Sequence, residues 1–216
     1  MLVRQSPIDH PMKLRISRPL SLLATLMLTS CAGDRAHVIR VSVADQRMAL
    51  YEHGVEVRRF PISTSKFGLG DIPGSNRTPL GTMEIAKKIG ASAPVGMKFK
   101  SRVPTGEIVP VNAPGRDPIV TRILWLRGLE ARNANAFSRM IYIHGTPEER
   151  TLGSPSSYGC IRMRSRDIVQ LFDAVGPGAK VLVDTAPLPA ITQSSHMVQG
   201  AQGTQTSIPA QASLSR

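Results

Sequence analysis

Two side chains in this sequence could perform nucleophilic chemistry together. His144 ends the apolar run Met140-Ile-Tyr-Ile143 and is followed by Gly145 and Thr146. Fifteen residues after His144, Gly159 precedes Cys160. A free cysteine is mostly thiol at neutral pH, and the thiolate is the nucleophile. A histidine within reach can take that proton. A glycine beside the nucleophile lets a backbone N–H approach a developing oxyanion with no Cβ in the way, and such donors contribute about 3 kcal/mol in a transition state. Spacing alone leaves two other readings open: a satisfied histidine at a strand end and a buried, inert thiol.

The elements around this pair must hold it still. Alternating apolar positions predict strands over 38–43, 47–51, 55–62, 82–86, 119–126, 140–143 and 180–184. The segment Ser63–Gly81 is rich in Gly, Pro, Ser and Asn and too long for a simple turn, which marks a functional loop or flap. Prolines 94, 104, 110, 114 and 118 exclude a long helix between the fourth and fifth strands. One helix is expected, with Ser165 as its cap, Asp167 facing its N-terminal dipole, Ile168, Leu171, Phe172 and Val175 on one face, and Gly176-Pro177 as its stop. Many short strands with few helices give a mainly β domain, sandwich or barrel-like, over 38–186.

The N-terminus reads as an address. Lys13, Arg15 and Arg18 precede the apolar stretch Leu20–Leu28, and small residues lead to Cys31. This is the pattern of a secretory signal over 1–30, with Met1 or Met12 as its start. It resembles the bacterial lipoprotein lipobox, in which the cysteine carries the lipid. An ordinary signal cut near Ala32 is the alternative. Residues 31–37 are expected to be a linker. The Gln/Ser/Thr/Ala-rich tail 187–216 is expected to be disordered. With Cys31 lipidated, Cys160 is the sole thiol of the mature chain, in an oxidising compartment.

Composition narrows the classes. The 216 residues include 27 Lys+Arg against 15 Asp+Glu, a net charge of +12, and removal of the first 31 residues leaves 23 against 14. A basic surface suits an anionic partner. No RNA-binding aromatic signature, zinc-finger spacing or Lys/Arg block points to nucleic acid. Two cysteines exclude a disulfide scaffold. His10, His37, His53 and His196 form no spaced ligand pair with His144, so no metal is expected.

The stretch His144-Gly145, then Ser157-Tyr-Gly-Cys-Ile-Arg-Met163, resembles the signature of the YkuD-type L,D-transpeptidase catalytic domain. Upstream, Ile62-Ser-Thr-Ser65 and Thr78-Pro-Leu-Gly-Thr-Met-Glu-Ile85 resemble that family's other motifs in the same order. The resemblance implies a β-rich domain with its cleft under a flap, and no cofactor. It implies that Cys160 attacks the carbonyl between meso-diaminopimelate and D-alanine of a peptidoglycan stem, leaving a thioester for an amine to resolve. That amine is a second stem, a D-amino acid or an envelope-protein lysine. His144 would be the general base, oriented by a neighbouring carbonyl, and Gly159 and Cys160 N–H groups the oxyanion hole. Acylation of Cys160 by a carbapenem is also implied. Arg162 would hold a stem carboxylate bidentately, with an ion pair to Asp167 as its alternative. Gly145, Ser157 and Tyr158 fall at substrate-facing positions. Tyr158 replaces the histidine usual in that family, and is expected mainly to fill space. The implied location is the periplasmic side of the envelope, lipid-anchored, with the outer membrane favoured because Ala32 follows Cys31.

Three readings compete with transfer. The thioester could be resolved by water, giving a carboxypeptidase or a hydrolase that detaches wall proteins. The chain could be a wall-binding lipoprotein with an idle site. A papain-like peptidase is disfavoured because there the cysteine precedes the histidine.

Overall fold

A computed structural model of the chain describes residues 33–190. The signal segment, Cys31 with its proposed lipid, and residues 191–216 of the expected tail lie outside the described residues.

Among the described residues, ten strands and one α-helix follow one another in the order β1 (His37–Ser42), β2 (Arg47–Glu52), β3 (Val55–Ser63), β4 (Gly81–Ile89), β5 (Met97–Lys100), β6 (Val103–Ile108), β7 (Val120–Gly128), β8 (Tyr142–Thr146), β9 (Ile161–Arg164), α1 (Ser165–Ala174) and β10 (Lys180–Asp184). The sheet runs β4-β10-β1-β2-β3-β9-β8-β7, and β7 pairs again with β4, so these strands close on themselves. The fold is mainly β and barrel-like, as expected. Closure leaves those strands no free edge. The β5–β6 hairpin joins β7 through Lys98 opposite Val120 and lies outside the ring.

Hydrophobic burial holds the barrel together. Ile39, Met48, Ile62, Met83, Ile85, Leu124, Leu126, Ile143, Ile161 and Val181 are all fully buried in one cluster. Helix α1 adds Ile168, Leu171 and Phe172 to it from its apolar stripe. Each such side chain contributes about 2 kcal/mol by leaving water.

Several expectations change. Ser165 is not the helix cap. It is the first helical residue; its N–H donates to Glu149 Oε1 at 2.9 Å, and its hydroxyl accepts from Thr121 Oγ1 at 2.9 Å. A carboxylate from another segment thus satisfies the helix end that a cap would have served. Residues 33–36 are not a free linker: Asp34 Oδ2 accepts the Gly176 N–H at 2.6 Å, and its own N–H donates to Pro177 O at 2.8 Å. The chain also stays on the domain past Pro187, where the Leu188 N–H donates to Asp45 Oδ2 at 2.7 Å. Strands β5, β6 and β9 were not anticipated. β6 contains Pro104 and is exposed throughout, which a non-barrel edge tolerates. β9 is four residues long and has no alternation, because Ile161, Arg162 and Met163 are all buried.

The β8–β9 pairing positions the chemistry. These strands are parallel, with His144 opposite Arg162. Parallel neighbours cannot be joined by a tight turn. The connection 147–160 therefore leaves the sheet and returns, and Cys160 is its last residue before β9.

Candidate active site

His144 comes from β8 and Cys160 from the mouth of β9, on neighbouring strands. By register Cys160, two residues before Arg162, is the diagonal neighbour of His144 across one strand gap. The His144 Nδ1 lies 2.8 Å from the Gly145 carbonyl oxygen. A carbonyl only accepts, so Nδ1 carries the hydrogen and Nε2 is left as the basic nitrogen. This is the orienting carbonyl expected from the sequence.

The loop bearing Cys160 is held by the upstream motif. Thr64 O accepts the N–H groups of Ser156 and Ser157, both at 2.9 Å. Thr78 Oγ1 donates to Gly159 O at 3.0 Å and accepts from the Ser65 N–H at 3.0 Å. Gln46 braces the same segment: its Oε1 accepts the Thr64 N–H and its Nε2 donates to Thr64 Oγ1, each at 2.8 Å. Ser157 Oγ donates to Cys160 O at 2.6 Å. Gly159 has φ +118°, and a Cβ there would sit 3.4 Å from Arg77 O. That conformation is open to glycine and strained for other residues.

The segment Ser63–Gly81 is anchored rather than free. Asp71 and Arg139 form a buried ion pair at 2.9 Å, and Arg139 Nη2 donates to Arg77 O at 2.7 Å. Arg139 lies beside Cys160 on the wall of a cleft of about 510 Å³, with Pro73, Asn76 and Met140 also lining it.

The YkuD family, described as the L,D-transpeptidase catalytic domain, matches residues 36–183, most of the described fold. The chain belongs to this L,D-transpeptidase family. Over 157 residues it is 27% identical to the Probable L,D-transpeptidase YcfS of Escherichia coli K12, a match covering 69% of this chain and 44% of that relative. The chain therefore spans less than half of that relative's length. Among solved structures, L,D-transpeptidase 3 from Mycobacterium tuberculosis aligns with TM-score 0.46 at 21% identity, over 69% of this chain and 61% of that one. LdtMt1 in complex with imipenem aligns with TM-score 0.45 at 22% identity, over 70% and 60%.

Within this transpeptidase domain, Arg162, Gly145 and Ser157, expected to face substrate, are buried, whereas Tyr158 lines the cleft of Cys160. Arg162 is 2% exposed. Its guanidinium donates to Asp117, to Glu148 Oε2 at 3.4 Å, to Thr151 Oγ1 at 2.9 Å, to Ser63 Oγ at 3.3 Å and to Ser156 Oγ. It offers no free fork to a stem carboxylate, and Asp117 rather than Asp167 is its ion partner. Gly145 is buried, and a Cβ there would lie 2.7 Å from Val120 O and 3.1 Å from Ile168 Cγ2. It allows β7, β8 and α1 to pack closely. Ser157 is 2% exposed and shapes the loop. Tyr158 does not fill internal space. It is 63% exposed, with Lys66 Nζ 3.0 Å from its hydroxyl and 4.3 Å from its ring centre, and Phe67 tilted against it at 5.4 Å. The Gly159 N–H, expected in the oxyanion hole, donates to Ser157 Oγ at 3.2 Å.

Three contributors were not anticipated. The Tyr142 backbone near the Cys160 sulfur favours the thiolate, while the thiol itself donates to the Met140 carbonyl oxygen at 3.5 Å. Asp117 accepts from Thr146 Oγ1 at 2.5 Å as well as from Arg162. Thr121, opposite the His144–Gly145 step, sits in a bulge of β7 at φ +72°. A β-branched residue there is a rare, strained conformation of the kind concentrated at functional sites. None carries a local sequence signal, because each acts through a partner distant in the chain.

Electrostatics set the resting state. Burial pushes the Cys160 thiol up to about 11, opposed by the Tyr142 backbone and by the charge of Arg139. Burial pushes His144 below its ordinary value, opposed by its bond to Gly145 O and by Asp117. Both shifts favour the uncharged forms, thiol and imidazole, over an ion pair. A raised thiol pKa means a smaller thiolate fraction at every pH below about 11. Cys160 should therefore react with iodoacetamide more slowly than free cysteine at pH 7, with the rate rising towards about pH 11. Alkylation rates of the full chain against pH check this. A plateau reached by pH 7 would show a thiolate already formed and contradict the neutral pair.

Proposed function

We propose that this chain is a peptidoglycan L,D-transpeptidase that uses Cys160 as nucleophile and His144 as general base. The observation that carries the reading is the pair of adjacent parallel strands. They set a histidine whose Nδ1 is tied to a carbonyl two register positions from a cysteine that lines an open cleft. The stem carbonyl before the terminal D-alanine is the electrophile. As Sγ attacks it, the thiol proton passes to Nε2. The C–N bond then breaks, the D-alanine nitrogen takes that proton, and a thioester remains. An amine acceptor attacks the thioester, the C–S bond breaks, and the amine's proton returns to sulfur through His144. Because the thiol starts neutral, proton transfer accompanies attack rather than preceding it.

Membership of the family and the position of the Cys-His pair support transfer over a passive wall-binding role. The N-terminal pattern supports export and lipidation at Cys31 on the periplasmic side of the envelope, with the outer membrane favoured over the inner. Asp117, Arg139 and Arg162 serve as positioning residues around the pair.

A carbapenem tests the nucleophile. Attack of Cys160 on the β-lactam carbonyl opens the ring with no leaving group, so intact mass should rise by the full drug mass, with the adduct on the Cys160 peptide. An unchanged mass after incubation of folded protein would count against the assignment.

A further inference from the structure

Among the described residues only two aromatic side chains are exposed, and they pack against each other. Phe67 is 44% exposed and Tyr158 63%, with ring centres 5.4 Å apart and planes tilted by 53°. The backbone holds both in place. Ser65 and Ser157 form a parallel bridge, the Lys66 N–H donates to Ser157 O at 3.1 Å, and the Phe67 N–H donates to Ser65 Oγ at 3.0 Å. The pair is therefore set before any partner arrives, and little ordering cost remains for binding. Adjacent exposed rings beside a reactive cleft mark a surface that a partner covers.

The chemistry of this corner selects the partner. Lys66 Nζ lies 4.3 Å from the Tyr158 ring centre and 5.4 Å from that of Phe67, and it donates to the Tyr158 hydroxyl at 3.0 Å. Apolar ring faces with an ammonium at their edge suit a pyranose. Its C–H groups pack on the negative face of an aromatic ring. Its rim hydroxyl and acetamido oxygens accept from an ammonium, which has three N–H donors. A carboxylate would use the ammonium and leave both rings in water.

The reach also fits. Tyr158 lines the Cys160 cleft. It stands two residues before Cys160, no more than about 7 Å away along the backbone. Its ring projects outward from there, and the Phe67 ring centre is a further 5.4 Å on. In a tetrapeptide substrate three residues separate the scissile bond from the sugar, an extended span of about 10 Å.

We infer that Phe67 and Tyr158 form a glycan subsite, on which an N-acetylated sugar of the peptidoglycan disaccharide stacks while its stem reaches Cys160. This inference rests on the acyl-transfer reading above. The subsite takes part in no covalent step. It supplies binding remote from the scissile bond, which raises kcat/KM for a stem that still carries its sugar.

The test offers the full chain in detergent an equimolar mixture of disaccharide-tetrapeptide and the same tetrapeptide without sugar. Mass spectrometry follows the loss of D-alanine from each, and the ratio of the two rates is the ratio of kcat/KM. The sugar-bearing stem should be preferred about tenfold, which corresponds to about 1.4 kcal/mol. The Phe67→Ala/Tyr158→Ala variant should bring that ratio close to one, the bare stem serving as the internal standard within each protein. Tyr158→Phe should keep most of the preference, because the ring remains. A wild-type ratio near one, with both stems losing D-alanine, overturns this proposal alone, as does a double variant that keeps the preference. Loss of D-alanine from neither stem with folded wild type overturns the acyl-transfer reading and this proposal with it.

Discussion

Replacing Cys160 by alanine should lower release of D-alanine from a tetrapeptide stem by about 10⁴-fold or more, the scale seen when a nucleophile is removed from a concerted constellation. The fold should persist. The thiol is small and borders a cleft, and the loop is held by bonds from Thr78, Thr64 and Ser157 that do not involve the sulfur. Cys160→Ser is expected to be nearly as inactive, because a serine hydroxyl needs stronger activation than a neutral imidazole gives a thiol. Neither variant should gain mass with a carbapenem. Retention of full activity in Cys160→Ala, with circular dichroism unchanged, would eliminate the thioester.

The second large effect concerns stability. Arg162 joins β9 to Ser63 of β3, to Thr151 and Ser156 in the crossover, and to Asp117. Removing one partner of a buried ion pair leaves the other charge uncompensated, at a cost of about 3–5 kcal/mol. Arg162→Leu is expected to lose stability on that scale in urea denaturation of the full chain. Arg162→Lys should recover only part of it, since a point charge cannot bridge so many acceptors. A loss below about 1 kcal/mol for Arg162→Leu would show that the network contributes little net free energy. Activity should fall as well, because the same network fixes the crossover that delivers Cys160.

The contrast between Arg162 and His144 shows what the sequence disclosed. The strands of the ring were legible where an apolar run was long enough, as in β1 to β3. β9 was not, because it is only four residues long and two of them are arginines. His144 and Cys160 stood out because their chemistry depends on residue type, and the carbonyl beside His144 Nδ1 belongs to the adjacent Gly145. The role of Arg162 was not, since its surroundings depend on Asp117 and Glu148, which occupy unpatterned loops. The Ser-Thr-Ser and Thr-Pro motifs were visible as matches, yet their work as braces of the Cys160 loop follows only from the hydrogen bonds of Thr64 and Thr78. Tyr158 ran the other way. An aromatic in this position was expected to fill space, whereas the loop turns its ring outward, where Lys66 and Phe67 cover it only in part.

The account stands most directly on one product analysis. Full-length protein in detergent is incubated with purified disaccharide-tetrapeptide, and the mixture is resolved by mass spectrometry. Free D-alanine is expected, together with either a 3–3 cross-linked dimer, when a second stem resolves the thioester, or a tripeptide, when water does. Recovery of the tetrapeptide intact, from protein that remains folded, would contradict an acyl transfer at that bond.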